Sequence, residues 1–136
     1  VKEWCIPLKK PKRRIYRKAQ EIGEKLFGAE FTQKRFEGLA EWDEEFAAYF
    51  QKFVYGGMYA REVLDPKTRE LVAVGALCLL SRTPQLRAHI RAALNCGASL
   101  KEIAEVIMQM SVYGGFPVTL YGLDVLKEFI EKEKAK

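Results

Sequence analysis

The sequence is poor in the residues that build metal centres and disulfide frameworks. It has one histidine, His89, and three cysteines, at positions 5, 78 and 96. A single imidazole argues against a histidine-rich metal site, so no metal is expected. An odd number of distant cysteines argues against a disulfide framework and makes a reducing cytoplasm the expected compartment. No two of them form a Cys-x-x-Cys pair. No window of ~18 apolar residues runs without a charge, so no membrane span is expected. The stretch Val1-Lys2-Glu3-Trp4-Cys5 lacks an apolar run of signal-peptide length. Asparagine occurs once, whereas Lys and Glu together number 29. That bias resembles the composition of thermophile proteins, which favour surface ion pairs over labile amides. Period-2 alternation is absent as well, and with it any expectation of strands.

What is present is one domain's worth of chain. The sequence has 136 residues, 49% of them hydrophobic and 30% charged, enough apolar mass to offset the entropy of ordering. The net charge of +5 is unevenly placed. Residues 1–18 hold eight Lys and Arg against Glu3 alone, a net of +7, so the remaining residues sum to −2. The expected organisation is therefore a basic arm, 1–18, and a single domain, 19–136. Such an arm could meet phosphate or an anionic surface. It could also be a solvated arm that packs its apolar residues on a neighbour. The second reading is preferred, because a nucleic-acid-binding domain usually shows its basic stripe on the folded body. Neither a nucleic acid nor a membrane is expected as a partner.

Helical signals follow one another along the chain. In 12–27, Ile15, Ala19, Ile22 and Leu26 recur at helical spacing and Gly28 is a stop. The spacing predicts a helix over 32–54, interrupted near 40–43, with Thr32 able to cap its start. There Leu39, Trp42, Phe46, Phe50 and Phe53 form an aromatic stripe that reads as core. Tyr55-Gly56-Gly57-Met58-Tyr59 reads as a loop. Asp65-Pro66 opens the next helix, Asp as the cap and Pro in the first helical position. Residues 71–80 are apolar on every face, which predicts burial all round, partly by another subunit. Thr83-Pro84 repeats the cap-plus-proline signal, and Leu86, His89, Ile90, Ala93 and Leu94 follow until Gly97. Ser99-Leu100-Lys101-Glu102 is a capping box, followed by Ile103, Val106, Ile107 and Met110 on one face. Tyr113-Gly114-Gly115-Phe116-Pro117 breaks that helix, and a last one runs to about Glu133. The expected fold class is all-α, a compact multihelical bundle that self-associates.

Few residues are candidates for chemistry. His89 shares its helix face with Leu86 and Ala93, where a histidine is more often a satisfied core residue than a catalyst. Polar company raises its standing: Gln85 lies one turn before it and Arg82 near the same helix start. Glu70, at the edge of the apolar run, is a candidate acid or base, or alternatively a carboxylate complementing the helix dipole. Arg69, Arg82, Arg87 and Arg91 could hold a substrate carboxylate or form a surface ion-pair network. Cys78, inside the apolar run, reads as inert packing.

Several segments carry a resemblance: Leu64-Asp65-Pro66-Lys67-Thr68-Arg69-Glu70-Leu71, Leu86 to Ala98 around His89, Lys101 to Ile107, and Tyr113-Gly114-Gly115-Phe116-Pro117. In this order and spacing, from about Phe36 to the last helix, the chain resembles the carboxymuconolactone decarboxylase family. The resemblance implies an all-α fold of the alkylhydroperoxidase D type and, commonly, a homotrimer or homohexamer. Peroxidase-like members have a Glu followed by Cys-x-x-Cys-x-x-x-His. Glu70 and His89 stand at the matching separation, but Arg82 and Gln85 occupy the two cysteine positions. Without a thiol pair there is no disulfide cycle, and peroxidase activity by that route is rejected. Decarboxylase members look similar around His89 and the tyrosine, and often have a second histidine three or four residues before that tyrosine. Gln109 and Met110 stand there instead.

The resemblance implies a cofactor-free lyase or related proton-transfer enzyme acting on a small carboxylic acid or lactone. His89 and Glu70 would be its catalytic residues, and Arg82, Gln85 and Tyr113 would bind the substrate. The alternative is a non-catalytic oligomeric binding or scaffold protein, in which Glu70 and His89 are satisfied by packing and face no cavity.

Overall fold

Every described element of the chain is helical, as its 3.6-residue periodicity predicts. The structure, a computed structural model, describes residues 15–136. Most of the basic arm, Cys5 included, lies outside those residues. The chain divides into two compact units, one ending at Arg61 and the other spanning Glu62–Lys136.

In the first unit, α1 (Arg17–Phe27) packs on α2 (Ala29–Trp42) and on a π-helical segment, Gln51–Met58, that continues α3 (Glu44–Phe50). Gly28 ends α1 with φ +88°, a conformation that suits glycine. Gly28 is also the N-cap of α2. Thr32 is therefore not a cap: it is buried, and its hydroxyl donates to the Gly28 carbonyl at 2.8 Å. The interruption near 40–43 is present. Asp43 stands extended between α2 and α3, and its side chain accepts from the Phe46 amide at 2.7 Å.

That interruption also undoes the aromatic stripe. The two helices no longer share one face, and Trp42, Phe46 and Phe53 are 65%, 59% and 70% exposed rather than core. The buried positions are Phe36, then Ala47, Gln51 and Tyr55, one turn apart. The segment 55–59 is not a loop either. Tyr55 packs edge-on against Phe27, Phe36 and Phe50, and the chain stays wound, with the Tyr59 amide donating to the Val54 carbonyl at 2.8 Å. Gly57 permits the wider winding, since a Cβ there would lie 2.7 Å from the Lys52 carbonyl oxygen.

The second unit begins with α4 (Pro66–Leu79), capped as expected. Asp65 accepts from the Thr68 amide at 2.9 Å and its hydroxyl at 2.8 Å. It packs against α5 (Thr83–Asn95), α6 (Leu100–Gln109) and α8 (Phe116–Lys134), with the single turn α7 (Ser111–Gly114) between the last two. The Ser99–Glu102 capping box is formed in both directions. At α5 the expectation fails. Arg82 is the N-cap without a side-chain cap bond, because the Thr83 hydroxyl is engaged with the Tyr121 hydroxyl at 2.9 Å.

The core is Val74 and Cys78 of α4, Leu86, Ile90 and Ala93 of α5, Ile103 and Ile107 of α6, and Val125, Leu126 and Phe129 of α8. Each fully buried Leu or Ile contributes about 1.5–3 kcal/mol. The apolar run of α4 is not buried all round within the chain. Val74 and Cys78 face inward, while Val72 and Leu80 are 61% and 62% exposed.

Candidate active site

Two helices of the second unit bring two titratable side chains into contact. The Asp65 cap and Pro66 set the start of α4, which places Glu70 in its second turn, on the face turned toward α5. There it is completely buried. It is not a first-turn residue complementing the helix dipole. α5 presents His89 one position before the core residue Ile90 and three after Leu86. Glu70 Oε2 and His89 Nδ1 lie 2.6 Å apart, and the His89 side chain keeps 20% of its surface accessible. A burial difference this large gives the pair a direction: its carboxyl end is anchored in the core and its imidazole end reaches the surface.

With Nδ1 as the donor, the carboxyl group accepts its proton, and a neutral imidazole then has its lone pair on Nε2. The second carboxyl oxygen, Oε1, is buried and has no hydrogen-bond partner among the described residues. Burying a polar atom in that way costs stability, so this site is not optimised for packing alone.

The other candidates are more dispersed. Gln85 is exposed and lies one helical turn before His89 on α5. Arg82, also exposed, is the α5 N-cap, two turns and about 10 Å along the axis from His89. Tyr113 lies on α7 and is 68% exposed. Arg87 and Arg91 are already committed to structure: they form ion pairs with Glu128 and Glu133 of α8, and the Arg91 guanidinium covers the Phe129 ring at 4.7 Å. For these two the ion-pair reading holds. Cys78 is buried, its thiol is pushed up by that burial, and it lies 3.5 Å from the Val118 carbonyl. Among the described residues no group of three or more His, Cys, Asp or Glu could hold a metal ion. No described helix is long and apolar enough to cross a membrane.

The Thr83–Tyr121 bridge near the start of α5 joins residues 38 apart and had no signal in the sequence. A hydroxyl pair across two helices leaves no local pattern.

Comparison with known proteins identifies the family of the chain. A family model described as the carboxymuconolactone decarboxylase family matches residues 44–128, which include Glu70 and His89. The chain is 28% identical over 113 residues to the 4-carboxymuconolactone decarboxylase of Acinetobacter baylyi, covering 83% of this chain and 84% of that protein. It is 41% identical over 81 residues to an uncharacterized 15.0 kDa protein in the nqo9-nqo10 intergenic region of Paracoccus denitrificans, covering 58% of this chain and 60% of that one. It is 23% identical over 118 residues to the nitrosuccinic acid decarboxylase npaB of Metarhizium robertsii, covering 87% of this chain and 82% of that protein.

Proposed function

The chain belongs to the carboxymuconolactone decarboxylase family, and on that premise we propose that it is a cofactor-free decarboxylase of a small carboxylated, lactone-type acid. The contact between Glu70 and His89, with the imidazole half-buried, is the observation that supports this most. Two relatives that align over more than four-fifths of the chain have names that describe decarboxylases.

The chemistry is a heterolysis followed by a proton transfer. The bond between carbon and the leaving carboxylate breaks, and its electron pair moves into the conjugated lactone carbonyl as carbon dioxide departs. The carbanion equivalent is then protonated at carbon. The carbonyl takes the electrons, so no redox partner or electron-sink cofactor is required. His89 is the proton-transfer group. Glu70 positions it through Nδ1. Arg82 binds a second carboxylate of the substrate as a cation, and Gln85 and Tyr113 supply hydrogen bonds. Gln109, where related decarboxylases often have histidine, cannot titrate, so His89 is assigned both roles: Nε2 takes a proton from solvent and gives it to the carbon that carbon dioxide has left.

Self-association accompanies this reading. The outward face of α4, with Val72, Leu79 and Leu80, is apolar and exposed in one copy of the chain, and contiguous apolar surface of this kind marks association sites.

The experiment is release of carbon dioxide from a panel of carboxylated unsaturated lactones, paired with an NMR titration of the single imidazole by the same acids. A substrate should be turned over and should move the His89 signals. His89→Asn should lower kcat by about 10²–10⁴-fold, the range for positioned acid–base groups. Turnover left intact in His89→Asn overturns the role given to His89. An imidazole indifferent to every acid, with no turnover, overturns the decarboxylase reading.

A further inference from the structure

α5 carries polar residues on two sides. His89 reaches Glu70 of α4. Arg87 and His89 project about 200° apart around the helix. On the Arg87 side, Thr83, Arg87 and Arg91 follow one another at four-residue spacing and meet Tyr121, Glu128 and Glu133 of α8. These three rungs are not equivalent. Both ion pairs are partly exposed, where salt and acid weaken them, and Glu133 is shared with Lys136. The Thr83–Tyr121 pair is half-buried, neutral and 2.9 Å long. Neither of its hydroxyls ionises near neutrality.

The α8 side of this pair is itself fixed. Gly122, next to Tyr121, lets α8 approach α4 so closely that a Cβ there would lie 2.5 Å from Cys78 Sγ. The same thiol lies 3.5 Å from the Val118 carbonyl. α4 carries Glu70 about two turns before Cys78, so α4 and α5 are tied by two routes. One is direct, from Glu70 to His89. The other runs from Cys78 through α8 to Thr83. Burial of Leu86 and Ile90 also holds α5, but apolar burial is non-directional. A hydrogen bond has a preferred length and angle, so it sets how far the helix is turned about its axis.

We infer that Tyr121 is a positioning residue for His89. Its hydroxyl bond to Thr83 holds α5 at the rotation that puts the imidazole against Glu70. The site is sensitive to that rotation. A turn of about 10° moves a side-chain tip, about 5–6 Å from the helix axis, by about 1 Å, and a misplacement of about 1 Å can cost on the order of 10²-fold in rate. The inference rests on the proton-transfer role proposed for His89 above, and its geometric part is read without turnover.

Tyr121→Phe and Thr83→Val test it on the full chain, since each removes one hydroxyl and keeps the shape of the side chain. Each should shift the ¹⁵N resonance of His89 Nδ1 in substrate-free protein. Each should lower kcat about two- to tenfold, the size of one neutral hydrogen bond, with KM changed by less than about twofold. The double variant should be no worse than either single one. Thr83→Ser keeps the hydroxyl and should match the parent in both readouts. A lower melting temperature in the single variants with the Nδ1 resonance unmoved overturns the inference, because the bridge then supports the fold alone. Additive losses in the double variant overturn the pairing. A parent that releases no carbon dioxide from any lactone overturns the decarboxylase reading instead, and the substrate-free resonance still decides whether Tyr121 positions the ring.

Discussion

Glu70 Oε2 and His89 Nδ1 lie 2.6 Å apart across two adjacent helices, although 19 residues separate them in the chain. The contact is asymmetric: the carboxyl group is fully buried and the imidazole is 20% accessible. A ring held from behind in this way has a fixed orientation, a property that a proton-transfer group needs before substrate arrives.

Replacing Glu70 with Met should remove the acceptor that selects the Nδ1–H tautomer. The ¹⁵N signals of the only imidazole should shift toward the Nε2–H form, and they need no assignment because no other histidine is present. Turnover should fall through kcat more than through KM, on the order of 10²-fold. An unchanged tautomer pattern would show that Glu70 does not position the ring.

The same variant should be more stable than the parent. Glu70 Oε1 is buried without a partner among the described residues, and such an atom costs about 1–3 kcal/mol. Methionine fills a similar volume and leaves no polar atom in the core. His89, being partly accessible, can turn to water for the bond it loses. The expected gain is about 1–3 kcal/mol in chemical denaturation, obtained at the expense of activity. A marked loss of stability would mean that the carboxyl group is satisfied and structural.

How much of this could be read from the sequence depends on the range of the interaction. The Asp65-Pro66 start, the Ser99–Glu102 box and the break at Gly115 are local, formed by residues within three or four positions of each other, and all three are where the sequence places them. Glu70 and His89 were each recognisable as polar residues on apolar faces, but their separation is set by how α4 packs on α5. The failures have the same origin. Phe46 looked like core until Asp43 turned the chain. Thr83 looked like a cap until Tyr121 took its hydroxyl. Gly56-Gly57 looked like a loop until the rings around Tyr55 held the segment in a π-helix. In each case a partner distant in sequence overrode a local preference.

The interior of the second unit predicts a packing effect at Gly122. A Cβ there would lie 2.5 Å from Cys78 Sγ and 2.7 Å from Ile107 Cγ2, so Gly122→Ala should destabilise by about 1–3 kcal/mol through overpacking. Cys78→Ala removes the closer obstacle. In Gly122→Ala/Cys78→Ala the two costs should therefore be less than additive by at least about 0.5 kcal/mol, measured by urea unfolding. Strict additivity would mean that α4 and α8 separate rather than crowd.

Two helix caps contribute to the response to acid, beside the ion-paired Glu30 and Glu133. Hydrogen bonding to the Thr68 amide and hydroxyl holds the Asp65 carboxyl below its ordinary value of 3.8. The Ser99 amide, followed by the Lys67 ammonium 3.0 Å away, holds Glu102 below 4.5. A carboxyl group whose affinity for protons is lower in the folded chain than in the unfolded one stabilises the fold above its unfolded value. That contribution is lost as pH falls through the lowered folded value. The melting temperature should therefore be insensitive to these caps near neutrality and should decline as pH falls below their ordinary values of 4.5 and 3.8 and through the lowered folded ones. Glu102→Gln keeps a side chain able to accept the Ser99 amide but cannot titrate, so its melting curve should be flatter over the acid range and lower near neutrality, where the ion pair with Lys67 is gone. Both single variants, Asp65→Asn and Glu102→Gln, should converge on the parent at the acid end, where the parent caps are protonated too. Parallel curves at every pH would place the acid sensitivity elsewhere in the chain.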